Sequence, residues 1–395
     1  MEPVAILSAA RTPIGRFLGS LAEVPARDLG ITASRAALER SGVRPDEIDE
    51  AFLGMARQAG NGPNPARQVS IGAGIPQEVC ATTINQACAS GLQAIALGAA
   101  TIARGDADLV LAGGMESMTR VPYLLERARL GYRLGDAPIV DGMYRDGFHC
   151  PLADELMGAT AETLADQHGI ARSEQDALAL ESQTRAGAAW AAGRFDAEIA
   201  PVEWLDAKGR AARFERDEHL RPDTTLEQLA KLPSVFRKNG TVHAGNSSGI
   251  TDGAAALVLA SARAVDERGA TPLAWIAGFA SAGVDPKIMG IGPVPATRKL
   301  LDRMGWKLAD IDLVELNEAF AAQVIAVERE LGLDRARTNV NGGAIALGHP
   351  IGSTGARITT TLAHEMKRRG AARGLATLCV SGGMGFSLAI TREKP

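Results

Sequence analysis

At 395 residues the chain exceeds the size at which one hydrophobic core usually stays single, so two domains, or a domain with a large insertion, are expected. Hydrophobic residues at 46% and charged residues at 22% describe an ordinary globular protein, and a formal charge of −4 gives no electrostatic footprint for nucleic acid. The four cysteines, Cys80, Cys88, Cys150 and Cys379, have neither paired metal spacing nor disulfide-framework density, which points to a reducing, cytoplasmic setting with chemically used thiols.

No apolar run approaches ~18 residues, so no membrane span is expected. The run from Met1 to Ala10 lacks the basic start and longer apolar core of a signal peptide and reads as a first strand. The ending Arg-Glu-Lys-Pro395 carries no peroxisomal tripeptide.

Within that run, Val4–Ala10 is continuously apolar and bounded by Pro13 and Gly15, the pattern of a buried parallel strand. Arg27 to Glu39 has helical spacing and ends at Ser41 and Gly42, a reasonable C-cap. Glu50–Gly54 is a short strand candidate, and the turn cluster Asn61–Pro65 precedes a small-residue helix from Ala66. Ala81–Asn85 reads as a strand running into Cys88, after which Leu92, Ile95, Ala96, Ala99 and Ala103 recur at helical intervals. Cys88 therefore sits at or just before a helix N-terminus, where free N–H groups and the helix dipole would lower a thiol pKa. The plainer alternative is a small buried core cysteine.

A repeat follows. Arg104–Met115 aligns without gaps to Arg373–Met384, with seven of twelve positions identical, each copy reading as a strand that ends in Gly-Gly. The chain thus reads as two homologous α/β halves. In this alignment Cys379 takes the place of Val110, and Ser381 that of Ala112. From Met118 to Gly249 the texture changes and reads as an inserted lid or loop domain. Asp154–His168 and Ser173–Ala192 have helical spacing there, Arg210–Arg221 is a charge run expected to be a solvated loop, and Pro222 onward resembles a capped helix start. Thr251–Ala260 returns to strand character, and Pro272–Phe279 opens the second half. Val294–Met304 is a helix and Leu313–Leu316 a strand leading into Asn317, which is either an N-cap or a polar amide aimed into a cleft.

The second half carries its own dense motif. Between Gly342 and Gly355 stand five glycines and one histidine, His349, an imidazole able to exchange a proton near neutrality. Pro350 disfavours helical backbone at His349, and Ser353 or Thr354 is the expected N-cap of a following helix. Two cysteines and a histidine, each in a glycine-bearing turn, are what cysteine-based acyl transfer needs: a thiolate, a base and free backbone N–H donors.

In combination Asn85–Gly91, Asn317–Phe320, Gly342–Gly355 and Cys379–Gly385 resemble the thiolases, acyl-CoA C-acyltransferases, and the likeness spans the chain from the Arg11-Thr12-Pro13 triplet onward. The resemblance implies an α/β fold of two homologous βαβαβαββ halves in five layers, α-β-α-β-α, with an inserted loop domain. It implies an N-terminal half over 1–118 and 250–269, a loop domain over 119–249 and a C-terminal half over 270–395. It further implies a homodimer or homotetramer, acyl-CoA and CoA as partners, and no metal or redox cofactor, CoA being a substrate.

Carried over by motif, Cys88 is the acyl-accepting nucleophile, His349 activates it and helps bind the thioester oxygen, and Cys379 moves the second proton. Asn317 holds a water in one oxyanion hole, and the N–H groups of Cys88 and Ser381 form another. Arg221 and Ser248 match CoA contacts, while Met157, Phe236, Ala244, Met289 and Phe320 match the pocket lining. Cleavage of a 3-ketoacyl thioester passes through an oxyanion and an enolate, and donors aimed at each are worth roughly 3–4 kcal/mol apiece.

Two positions depart from the family pattern. Ser381 replaces the glycine of a Cys-x-Gly motif, and Leu156 precedes Met157 where the acetoacetyl-specific branch has histidine. The second leans toward a broader 3-ketoacyl-CoA thiolase, with an acetoacetyl-CoA-specific biosynthetic enzyme as the alternative. A decarboxylating ketoacyl-synthase-type enzyme, which uses two histidines, and a non-catalytic acyl-CoA-binding relative are the remaining readings.

Overall fold

The apolar run at the head of the chain forms the strand Val4–Arg11, buried along its whole length. In this computed structural model, which describes residues 3–395, the strand lies inside a ten-stranded sheet. Met1 and Glu2, which begin the expected run, lie outside the described residues. The expected parallel pairing is not found: Val4–Arg11 is antiparallel to both neighbours, Thr251–Ser261 and Ala274–Gly283. Burial on both faces makes a strand continuously apolar whichever way its neighbours run, so composition could not distinguish the two directions.

The sheet order is Leu313–Leu316, Arg373–Val380, Met384–Thr391, Ala274–Gly283, Val4–Arg11, Thr251–Ser261, Leu109–Ser117, Glu50–Gly54 and Cys80–Ile84, with the short tenth strand Gly15–Arg16 pairing off this path with Thr251–Ser261. The first half interleaves its strands with helices Ala26–Ser41, Pro65–Gly72 and Ser90–Ala103, and so reads βαβαβαββ. The second half repeats the order with helices Pro293–Met304, Ala321–Leu331 and Ile351–Arg369, its third strand reduced to a single bridge between Val314 and Thr338. The halves join where Val4–Ile6 pairs with Ala274–Ile276.

Three cores separate the layers. Leu92, Ile95 and Ile102 of one central helix and Ile358, Leu362 and Met366 of the other share a core with Val110, Leu257, Leu378 and Leu388 of the two sheet halves. An outer core joins Leu29, Ala33 and Leu38 to the first half, and another joins Leu300, Val324 and Val327 to the second. The layering is therefore helix, sheet, paired central helices, sheet, helix. Each fully buried Leu or Ile contributes about 1.5–3 kcal/mol.

The internal repeat is real, but its register is not the ungapped one. Asp49 accepts from the N–H groups of Asp108 and Leu109, and Asp312 accepts from those of Ala372 and Arg373. Leu109 is thus equivalent to Arg373, which makes Met115, not Val110, the counterpart of Cys379, and Ser117, not Ala112, that of Ser381. The shared Gly-Gly pairs serve different ends. Gly113 and Gly114 lie within a strand, where a Cβ on Gly114 would stand 2.2 Å from the carbonyl of Gly352. Gly382 and Gly383 make the turn to Met384–Thr391 with φ of +86° and +83°.

Between the first half's last two strands, residues 119–249 hold helices Met157–Gln167 and Arg172–Ala191 and three two-stranded ribbons. The charge run is not wholly solvated: Ala211–Phe214 pairs with Val202–Leu205, and Asp217 is buried. Asp217 and Glu198 flank the buried guanidinium of Arg11 at 2.8 and 2.5 Å, so the Arg11-Thr12-Pro13 triplet ties this segment to the first strand. A compensating partner two hundred residues away leaves no local signal. Among the described residues no helix is long and apolar enough to cross a membrane.

The central helices meet through glycine. A Cβ on Gly355 would stand 2.3 Å from the backbone nitrogen of Leu92, and one on Gly91 2.7 Å from that of Ala356. Gly355→Ala must push the helices apart and should destabilise the protein by about 1–3 kcal/mol or more. Gly187→Ala, where the nearest atom is Pro222 Cβ at 3.6 Å, should be neutral or stabilising. Urea denaturation midpoints of the two variants check the contrast.

Candidate active site

Cys88 lies two residues before the helix Ser90–Ala103, preceded by Ala87 in the left-handed region at φ 46°. That conformation is costly for alanine and is held by local bonds: the Asn85 side chain accepts from the Ala87 N–H, and Ser90 Oγ donates to the Ala87 carbonyl at 2.6 Å. The helix-dipole expectation for the thiol is not met. Burial pushes Cys88 above the ordinary thiol range, outweighing the lowering influence of the Arg57 charge and of hydrogen bonds from the N–H groups of Ser381 and Cys88 itself. The resting group is a thiol, and it needs a base.

His349 is buried and stands just before the helix Ile351–Arg369, its N–H donating to the Gly249 carbonyl at 3.2 Å. The helix starts earlier than expected: Pro350 is the N-cap, and the hydroxyls of Ser353 and Thr354 both donate to the Pro350 carbonyl at 3.0 Å. Burial, reinforced by the Arg357 and Arg57 charges, pushes the His349 imidazole down to about 3. It is therefore neutral under ordinary conditions.

Cys379, the last residue but one of the strand Arg373–Val380, is buried, and burial together with the nearby Cys88 pushes its thiol far up. The influence of Cys88 on the Cys379 thiol, and that of the Ser381 N–H on Cys88, place the three groups in one site. Ser381 has negative φ, so the positive-φ demand falls on Gly382 and Gly383 instead, and a side chain at 381 is unstrained. Asn317 is not an N-cap, because the helix begins at Ala321 after Phe320. Its backbone N–H donates to the Thr377 carbonyl, and both atoms of its buried side-chain amide have no hydrogen-bond partner in the protein. An amide so held, with donor and acceptor unspent, suits a water or an oxyanion.

Around these groups Met289 and Ala319 pack on Cys379, joined by Met157 and Phe320. Phe236 meets Phe320 edge-on at 6.1 Å. Ser247 bridges to Phe320, and Ser248 donates its N–H to the Ala319 carbonyl. Ala244 and Arg221 are both exposed. Arg221 with burial keeps His219 neutral, at about 4, and the His219 ring lies against Gly249, whose carbonyl receives the His349 N–H.

Sequence reasoning missed three groups. Glu116, fully buried, accepts from the N–H groups of Ala56, Arg57 and Gly352 and so clamps the start of the His349 helix to the first half. Arg57 supplies the buried cation felt by Cys88 and His349. Thr354 holds the imidazole at 2.6 Å. Glu116 stands two residues after the glycine pair of the repeat, and Thr354 stood out only as a helix N-cap; Arg57 had no hint.

The chain matches the family models for the thiolase N-terminal domain over residues 4–263 and the thiolase C-terminal domain over 270–392. This chain belongs to the thiolase family. It is similar to an acetyl-CoA acetyltransferase of Chromobacterium violaceum, 53% identical over 98% of this chain and 99% of that one. Among solved structures, Bacillus anthracis acetyl-CoA acetyltransferase superposes with TM-score 0.97 at 48% identity, covering 99% of each chain. Human mitochondrial 3-ketoacyl-CoA thiolase in complex with CoA superposes with TM-score 0.94 at 46% identity, covering 99% of this chain and 98% of that one. The expected α/β thiolase fold and acyltransferase class hold.

An imidazole at about 3 is unprotonated, and so competent as a base, at every pH above about 4. The acid limb of kcat/KM for this thiolase should therefore contain no His349 titration between pH 5 and 8. Rate–pH profiles check this; a limb near 6.5 that disappears in His349→Asn would contradict it.

Proposed function

We propose that this thiolase cleaves 3-ketoacyl-CoA with CoA, and runs the reverse condensation, through an acyl group carried on Cys88. His349 takes the Cys88 thiol proton as the sulfur attacks the keto carbon, and the oxyanion forms beside His349 and the Asn317 amide. Collapse breaks the carbon–carbon bond, and the departing enolate of acetyl-CoA takes its proton from Cys379. Incoming CoA then gives its thiol proton to the Cys379 thiolate and attacks the acyl–Cys88 thioester. Its oxyanion faces the N–H groups of Cys88 and Ser381, and acyl-CoA leaves as Cys88 recovers its proton from His349. Protons and electrons balance with CoA as a substrate and no metal or redox group.

This reading is supported by two thiols within electrostatic reach of each other, by the Ser381 N–H close enough to favour a Cys88 thiolate, and by a buried Asn317 amide with both atoms unspent. Neutral resting groups suit it, because each is asked to pass a proton rather than hold a charge. Arg221 and Ser248 would meet the CoA moiety, as in the resemblance, and Met157, Phe236, Ala244, Met289 and Phe320 the acyl chain. The partly exposed edge strand Cys80–Ile84 and the exposed Leu125, Leu130, Leu134 and Ile139 support self-association as a dimer or tetramer, and four free cysteines suit a cytoplasmic setting.

For substrate, Leu156 favours a broader 3-ketoacyl range. It caps the helix Met157–Gln167 with no side-chain cap bond, half-buried, next to the Met157 that packs toward Cys379. The second reading, specificity for acetoacetyl-CoA, is favoured by relatives named acetyl-CoA acetyltransferase. Thiolysis assayed from acetoacetyl-CoA to long-chain 3-ketoacyl-CoAs tests both. The broader reading expects turnover beyond acetoacetyl-CoA, and Leu156→His should shift relative kcat/KM toward it by about tenfold. Activity confined to acetoacetyl-CoA in the unaltered protein overturns it.

A further inference from the structure

The hydroxyl of Thr354, fully buried in the first turn of the His349 helix, meets two groups at once. Its Oγ lies 2.6 Å from His349 Nδ1 and 3.0 Å from the Pro350 carbonyl oxygen. A hydroxyl has one hydrogen, and a carbonyl can only accept. The same helix shows where that hydrogen goes. Thr359 and Thr360 each donate to the carbonyl four residues back, at 2.9 Å, and Pro350 stands four residues before Thr354. With the hydrogen spent on Pro350, the oxygen presents a lone pair to the ring, and Nδ1 must carry the proton. Ser353, the adjacent hydroxyl, is also spent on Pro350 and bonds no ring atom.

We propose that Thr354 is a positioning residue that fixes His349 as the Nδ1–H tautomer and leaves Nε2 as the unprotonated base for Cys88. This rests on the reading of His349 as that base. A carboxylate at this point would orient the ring equally well but would also stabilise its charged form. A hydroxyl orients it without adding charge, which suits a ring that lies near two buried guanidinium groups, Arg57 and Arg357. The β-branch restricts χ1 and so holds the oxygen in place.

Two variants and one spectrum test this. Thr354→Val keeps the shape and removes the acceptor, and it should lower kcat/KM for acetoacetyl-CoA thiolysis roughly ten- to hundredfold while leaving CoA KM unchanged. Thr354→Ser keeps the oxygen and should recover to within about threefold of the unaltered protein, the remainder reflecting looser χ1. Solid-state nitrogen-15 spectra of histidine-labelled protein, with His349 assigned by difference against His349→Asn, should show Nδ1 protonated and Nε2 bare, and a mixed or reversed tautomer in Thr354→Val. Wild-type kcat/KM in Thr354→Val, or a proton on Nε2 in the unaltered protein, overturns the proposal. If Thr354→Val does not fold, the spectrum of the unaltered protein still decides. Full activity in His349→Asn would instead overturn the reading of His349 as the base, leaving the tautomer assignment to stand or fall on the spectrum.

Discussion

Everything at the site depends on how closely the two central helices approach. Their first turns touch backbone to backbone, with Gly91 against Ala356 and Gly355 against Leu92, and Gly114 admits the Gly352 carbonyl to the sheet. Cys88 and His349 come one from each half of the duplicated fold, and neither half could hold the pair alone. Glu116 fastens the same junction electrostatically by accepting N–H bonds from both halves. The small residues that leave so few aromatics in the composition are the ones that permit this contact.

The second constraint is burial, full at His349 and Cys379 and partial at Cys88. Burial raises both thiols and lowers the imidazole, so the site at rest holds neutral groups rather than a thiolate–imidazolium pair. What it keeps ready is directional: the Ser381 and Cys88 N–H groups, the unspent Asn317 amide, and the buried Arg57 charge. Fixed donors in a low-dielectric pocket stabilise an oxyanion more than they stabilise a neutral ground state. That difference is the form in which the fold supplies catalysis, and Ala87 in left-handed backbone shows local strain accepted to aim the sulfur.

Much of this was legible in order along the chain. Leu313–Leu316 and the C-cap at Gly42 are where periodicity and glycine put them, since each reflects local physics. Cys88, His349 and Cys379 stood out because glycine-rich turns around titratable groups are rarely needed for packing, and Asn317 because a polar amide follows directly on a buried strand. Other features were illegible for definite reasons. Strand direction at Val4–Arg11 leaves no mark when both faces are buried. The repeat register was misread because Gly-Gly serves close approach in one half and a positive-φ turn in the other, so identical letters aligned unequal positions. Arg57, Glu116 and Thr354 act through partners far away in sequence or through a single lone pair, and neither produces a pattern.

The proposed chemistry turns on a division of labour in which Cys88 carries the acyl group while Cys379 handles the proton. It is tested most directly by incubating the Cys379→Ala protein with acetyl-CoA and mapping the adduct by peptide mass spectrometry. A single acetyl group on Cys88 is expected, formed more slowly than in the unaltered protein and not carried forward into condensation. An unlabelled Cys88, or an acetyl group on another residue, would contradict it.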